Sequence, residues 1–279
     1  MHSPPHNEVP FPPVRELLID FLRAGQAKRL AHGFLEVDIS RSLARIKECR
    51  EVVPVSLTAY FVYCLAHAVH EHKELHAYRK GRRKLVIFDD VDVNTLLEKQ
   101  QPDGSVLPMV YIVRGANHKT FAQINHEVLT ASKGTLRDDT GVQQRRRLLK
   151  FPGPIRRLIG WWIRRDPVKV KQYWGTVLLT NPGAFVYARP SWGAAMALQT
   201  CSVGIGGIFE RVYWNDGQPE PRATLGLTVT VDHDIVDGAP GVRFGNKFIE
   251  LLEGAHGLGE DFFTETRALR GEKHETETV

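Results

Sequence analysis

Only three cysteines occur in 279 residues, Cys49, Cys64 and Cys201, and no two stand as a CxxC pair. That spacing offers neither a disulfide framework nor a zinc knuckle, and it fits three small buried residues. Also missing is any run of the roughly 18 to 20 uninterrupted apolar residues that a membrane-spanning helix needs. The start, MHSPPHNEVPFPP, lacks the basic and apolar halves of a signal peptide. The cytoplasm is the simplest location on these grounds. What is present is a hydrophobic content of 42%, enough to bury a sizeable core as one large or two smaller domains. The net charge of +5 is uneven. The segment Arg145–Lys171 alone carries +9 and the remainder −4. No nucleic-acid reader motif accompanies that patch, so the basic balance does not indicate nucleic acid as a partner.

Residues 1–14 hold five prolines without periodicity and read as a flexible arm. Leu17, Leu18, Phe21 and Leu22 then recur at helical spacing within Arg15–Arg29. GFLEVDIS (33–40) alternates as a strand, and Ser40–Glu51 reads as a helix with Leu43, Ala44 and Ile46 inward and Ser40 as N-cap. SLTAYFVYCLAHAVHEHKEL, from Ser56, is apolar nearly all round, the pattern of a buried helix. Residues 85–97 and 106–115 read as strands joined at the turn signal Pro102-Asp103-Gly104, and 119–132 return to helical period. WGTVLLTNPGAF, ALQTCSVGIGGIFERVYW and ATLGLTVTVDHD supply three further strands, and GVRFGNKFIELLEGA a helix. The polar end, 266–279, is expected to be a disordered tail. Interleaved strands and helices give an α/β or α+β class with a large mixed sheet.

The strand that ends in VTVDHDIVDGAPG stops at a histidine between two aspartates. His233 there could present an imidazole suited to proton transfer near neutral pH. Asp237 could fix the bend through backbone N–H groups, and Gly238 could let the chain turn into the helix. A polar turn with its histidine in solvent is the plainer reading. His67, His70, His72 and His76 spread around more than one helix face and lack a third ligand, so no metal is expected. GIGG (204–207) has no helix pattern after it, which argues against a dinucleotide loop.

TLGLTVTVDHDIVDGAPGVRFGNKFIELLE resembles the C-terminal signature of the 2-oxo acid dehydrogenase acyltransferase (E2) catalytic domain, related in fold to chloramphenicol acetyltransferase. That family's motif is DHxxxDG between a strand and a helix. GTVLLTNPGAF resembles its segment ending in Thr or Ser, Asn, a variable residue and Gly, and LQTCSVGIGGI its following glycine-bearing strand. AHGFLEVDIS, VSLTAYFVYCLAHAVHEHKELHAY and VDVNTLLEKQQPDGSVLPMVYIVRGANHKTFAQINHEV stand in the family's order upstream. The resemblance implies one acyltransferase domain over 15–265, a homotrimer with active sites between subunits, and acyl-CoA and a dihydrolipoyl-type thiol or other small acceptor as substrates. It implies His233 as general base, Thr180 as hydroxyl donor to the oxyanion, and Asp237 as the residue holding the histidine loop. Asn181, Gly183 and Gly238 would stand on the CoA side. No lipoyl group is expected on this chain, so a lipoyl domain would act in trans, and the charged end GEKHETETV favours a free trimer over a larger shell.

Two departures qualify that expectation. Asp234 replaces the family's arginine after the histidine, and a carboxylate beside the base would favour its charged form. Met196-Ala197-Leu198-Gln199 replaces Asn-Pro-Pro-Gln, at the second substrate's channel. A catalytically relaxed trimeric scaffold is therefore the alternative reading. The basic aromatic segment 145–174 has three readings: a helix packed by its tryptophans on the core, a surface for a membrane or partner protein, or a site for the phosphates of CoA.

Overall fold

The computed structural model describes residues 28–100, 106–133, 151–186 and 188–270, with 6–8, 11, 19 and 23 of the arm. The helix expected over 15–29 and the turn at 102–104 fall mostly or wholly outside these residues. Six strands form one mixed sheet in the order β1-β8-β7-β6-β4-β5. They are β1 (Leu30–Asp38), β4 (Val93–Gln100), β5 (Val106–Val113), β6 (Val177–Thr180), β7 (Cys201–Asn215) and β8 (Gln218–Asp232). β4, β6 and β7 run parallel as neighbours, and the remaining pairs are antiparallel. A separate hairpin pairs β2 (Tyr78–Lys80) with β3 (Lys84–Val86). The apolar run 85–97 is thus two strands and not one. Phe88-Asp89-Asp90 interrupts it, because two exposed acids cannot continue a buried strand.

Alternation sorts the sheet into two faces. Val93 and Leu97, Val177 and Leu179, Val203 and Ile205, and Leu225 through Val231 at every second position form the core with the helices. Those helices are α1 (Ser40–Val52), α2 (Leu57–Glu71), α3 (Phe121–Lys133), α6 (Gly238–Glu253) and α7 (Glu260–Arg270). Ten of the 15 residues of α2 are buried, which is why its sequence lacks a polar face. Its N-cap is Ser56, whose hydroxyl accepts from the Ala59 N–H. The cap of α1 is different from the expectation: Ile39 occupies the N-cap, and Ser40 instead accepts the Ala223 N–H on its hydroxyl at 2.8 Å. Ser42, Ile46 and Cys49 point inward, and Ala44 is exposed. α7 runs through Arg270 with Thr266 buried, so the first residues of the expected tail are helical.

The other face of the sheet is made of small residues, with Ser202, Thr228 and Thr230 buried beside Gly204, Gly206 and Gly226. The segment 189–193 lies directly on it. Ser191 accepts the Gly207 N–H, and a Cβ at Gly206 would fall on the Ser191 carbonyl oxygen. Trp192 reaches beyond it and donates its indole N–H to the Leu35 carbonyl at 2.8 Å. The GIGG cluster is therefore a seat for a crossing chain.

The basic segment folds as two helices, α4 (Gly153–Arg164) and α5 (Pro167–Trp174), with 145–150 outside the described residues. α5 is anchored at the sheet end by buried Asp92, which holds Lys171 Nζ at 3.0 Å and Arg114 Nη1 at 2.8 Å. α4 is not packed by its tryptophans. Trp161 and Trp162 are both exposed, and only Ile163 of that helix is buried.

Candidate active site

β8 ends at Asp232, and the chain then turns within five residues into α6. Asp232 organises this turn. Its carbonyl accepts the Ile235 and Val236 N–H groups at 3.0 Å, and its carboxylate accepts the Asp234 N–H at 3.2 Å. Its other carboxylate oxygen lies 3.0 Å from Lys28 Nζ, which also donates to the Gln199 carbonyl. Burial holds the Lys28 ammonium below its usual pKa against the pull of Asp232. Buried Val236 pins the far side of the turn.

His233 is exposed, with its backbone N–H donated to the Arg29 carbonyl at 2.7 Å. The same Arg29 donates its guanidinium to Asp234 at 2.8 Å, and Arg79 approaches the second carboxylate oxygen at 3.5 Å. The carboxylate beside the histidine is therefore shared between two arginines. Asp237 occupies the N-cap of α6, but its carboxylate makes no cap hydrogen bond. The loop-holding part assigned to Asp237 is carried in this chain by Asp232, because the carbonyl and carboxylate at the strand end are the groups that face the turn's N–H donors. Gly238 begins α6, and a Cβ there would meet open space. No special glycine conformation is needed at that bend.

Thr180 closes β6 and is half-buried, followed by the short turn Pro182–Phe185. Asn181 Nδ2 donates to Thr58 Oγ1 at 3.4 Å, which ties this corner to the start of α2. Gly183 is packed against the sheet, since a Cβ there would fall on the Gly206 carbonyl. In one chain Thr180 and His233 are set apart by two strands and several residues of register. Thr180 pairs with Gly204 and Gly204 with Thr228, five residues before His233. At about 3.3 Å per residue and about 4.8 Å per strand, they lie on the order of 19 Å apart.

Beside the His233 turn is a cavity of about 160 Å³, lined by Lys28, Arg79, Arg164, Leu198, Asp232 and Ile235. Lys28, Arg29, Arg79 and Asp232 are the site neighbours that sequence reading missed. Asp232 alone had a local signal, as the first residue of the DH pair.

The histidines of α2 and the turn after it have separate settings. His67 packs on Tyr63 and His256, His70 faces His118, and His72 meets Phe244 edge-on. His76 is fully buried, and neither ring nitrogen has a hydrogen-bond partner among the described residues. Burial first, then the charges of Lys171 and Lys73, push its pKa down to about 4 from the ordinary 6.5. Burial lowers His67 as well. Between those two pH values the unfolded chain binds the His76 proton and the folded chain does not. Stability is therefore complete above the unfolded pKa and is lost as pH falls toward about 4, by about 3 kcal/mol for this residue. Denaturation midpoints measured across that window are expected to fall with acid, and to fall less in His76→Leu. Equal slopes in both proteins would exclude a buried neutral His76.

Residues 169–259 match the family model described as 2-oxoacid dehydrogenases acyltransferase (catalytic domain). Over 205 residues the chain is 25% identical to the dihydrolipoyllysine-residue acetyltransferase component of the pyruvate dehydrogenase complex of Mycoplasma pneumoniae, which covers 71% of this chain and 42% of that protein. Dihydrolipoamide acetyltransferase of Azotobacter vinelandii shares the fold with a TM-score of 0.67 at 16% identity, over 91% of this chain and 94% of that one. A probable dihydrolipoamide acetyltransferase of Listeria monocytogenes gives 0.66 at 17% identity, over 91% and 97%. The fold is that of the E2 acyltransferase catalytic domain. The stretch of this E2-type fold matched by the family model includes Thr180 and the His233 turn, and it begins within α5, after α4. The chain spans less than half the length of the curated Mycoplasma relative.

Proposed function

We propose that the protein is a CoA-dependent acyltransferase whose sites form between subunits of a homotrimer. The observation that carries this reading is the pairing of a strand-end histidine with a hydroxyl residue too far away in the same chain to act with it. A head-to-tail ring of subunits would bring the His233 end of one chain to the Thr180 end of the next. The reading is supported by the Azotobacter enzyme, whose catalytic mechanism has been investigated through a serine, a histidine and an asparagine. The sequence separation of that serine and histidine is nearly that of Thr180 and His233, and the asparagine stands four positions after the histidine, where this chain has Asp237.

In the proposed reaction, His233 accepts the proton of the attacking thiol as its sulfur adds to the acyl thioester carbon. Thr180 of the neighbouring chain donates its hydroxyl to the oxyanion of the tetrahedral intermediate. Collapse breaks the carbon–sulfur bond to CoA, and the imidazolium returns its proton to the departing thiolate. The donor set beside the turn suits CoA in kind, because the exposed cations Arg79 and Arg164 line the cavity where phosphates could meet them. At about 160 Å³ the cavity is small against the roughly 300 to 1,000 Å³ of ligand sites, so a neighbouring chain would complete the channel. A dihydrolipoyl-type thiol, on a lipoyl domain acting in trans, is the acceptor that best fits the relatives. The relaxed-scaffold alternative rests on Asp234, whose carboxylate is engaged by Arg29 and Arg79 in the structure.

The test is release of free CoA from acetyl-CoA with dihydrolipoamide and with a panel of small thiols, amines and alcohols. Turnover that depends on acceptor supports the reading, and absence of turnover with every acceptor counts against it.

A further inference from the structure

Helix α4 has its apolar arc turned to solvent. Leu158 is 63% exposed, Trp162 56%, Trp161 45% and Ile155 44%, and Phe151 just before the helix is exposed as well. A helix docked for core packing would bury these residues, at some 25 cal/mol for each Å² removed from water. Cations stand over both tryptophans: the Arg165 guanidinium is 4.0 Å from the Trp161 ring centre, and Lys169 Nζ is 3.1 Å from that of Trp162. Arg157 and Arg164 are exposed on the same helix.

A second basic element meets it. The β2–β3 hairpin carries Arg79, Lys80, Arg82, Arg83 and Lys84 within six positions, all exposed and without an acid among them. Arg79 of the hairpin and Arg164 of α4 line the same cavity, so the two elements form one face. The acids nearest to it are already engaged, Asp166 by the Val168 N–H and Lys169, and Asp234 by Arg29 and Arg79. The face therefore offers a row of apolar and indole groups with exposed cations beside and beyond them.

We propose that α4 and the β2–β3 hairpin attach the protein to an anionic lipid surface. The apolar residues of α4 enter the headgroup boundary, and the tryptophans lie at the interface. Arginine and lysine stems carry their charges to the phosphates. Charge complementarity selects this occupant. A nucleic acid would match the cations and leave Leu158 and Ile155 in water, whereas a bilayer boundary accepts both. The cavity between the two elements is also lined by Asp232 and Ile235 of the histidine turn, so attachment brings the His233 end of the sheet toward the lipid. The inference rests on the apolar residues of α4 and the hairpin tip Arg82 and Arg83, none of which takes part in the proposed acyl transfer.

The test is flotation of the full chain with phosphatidylcholine vesicles, with and without phosphatidylglycerol, at low and high salt. Binding to the anionic vesicles is expected to be about tenfold tighter or more, and to weaken with salt. The double substitution Leu158→Glu with Trp162→Glu is expected to abolish it, and Arg82→Glu with Arg83→Glu to weaken it several-fold. Tryptophan emission should shift to the blue on binding and lose that shift in the first variant. Light scattering and soluble-substrate turnover should be unchanged in both variants. Equal binding to both vesicle types, binding that survives the α4 substitutions, or a changed oligomeric state in the α4 variant would each overturn the proposal, the last by assigning the face to a second copy of the chain.

Discussion

His233→Ala is expected to lower CoA-dependent acyl transfer by about 100-fold to 10,000-fold with no measurable loss of stability. The size follows from the chemistry. Most of a free thiol is protonated at neutral pH, so without a base only the small thiolate fraction attacks. The selectivity follows from the geometry. The turn is held through the His233 backbone N–H, the Asp232 carbonyl and carboxylate, and buried Val236, and the exposed imidazole contributes to none of these bonds. An exposed side chain away from caps and networks changes stability by about 0.5 kcal/mol at most. Retained turnover within a few-fold of the parent, in a variant with an unchanged melting curve, would remove His233 as the general base.

Thr180→Ala is expected to cost about 100-fold to 1,000-fold in kcat, with KM for acyl-CoA and acceptor little changed. A hydroxyl that meets the oxyanion only after the thiol has added stabilises the transition state and not the bound substrates, so its loss is a kcat effect. Thr180→Ser keeps the donor and should keep most of the activity, whereas Thr180→Val keeps the shape and should behave as alanine does. A loss that appears in KM, or equal activity of the serine and valine variants, would show that Thr180 shapes the corner with Asn181 and Thr58 and donates nothing to the reaction.

The sequence carried the parts of this fold that repeat with a period. The alternation of β8 and its stop at Asp232 were visible in the order of residues, as was the all-round apolar α2. What escaped depends on contacts between distant positions. Arg29 and Arg79 stand 205 and 155 residues from Asp234, so nothing local announced that the unusual carboxylate has partners. GIGG could be read as a glycine cluster, but its use is visible only with 189–193 lying on it. The tryptophans of α4 had the spacing of one helical face, and spacing does not say whether that face meets the core or the solvent. The turn-holding bonds of Asp232 also lie beyond the sequence, because a helix start is legible there and the direction of a strand-end carboxylate is not.

The separation of Thr180 and His233 within one sheet has a consequence for how activity should scale under the proposed reaction. If the site forms between subunits as proposed, a lone chain would hold two half-sites and no whole one, and specific activity should fall on dilution as the ring dissociates. Two dead proteins, His233→Ala and Thr180→Ala, should then rescue each other when unfolded and refolded together. In randomly mixed rings about a quarter of the junctions would join an intact histidine to an intact threonine. Such rescue, each variant supplying what its neighbour lacks, would make the catalytic unit the junction and not the polypeptide.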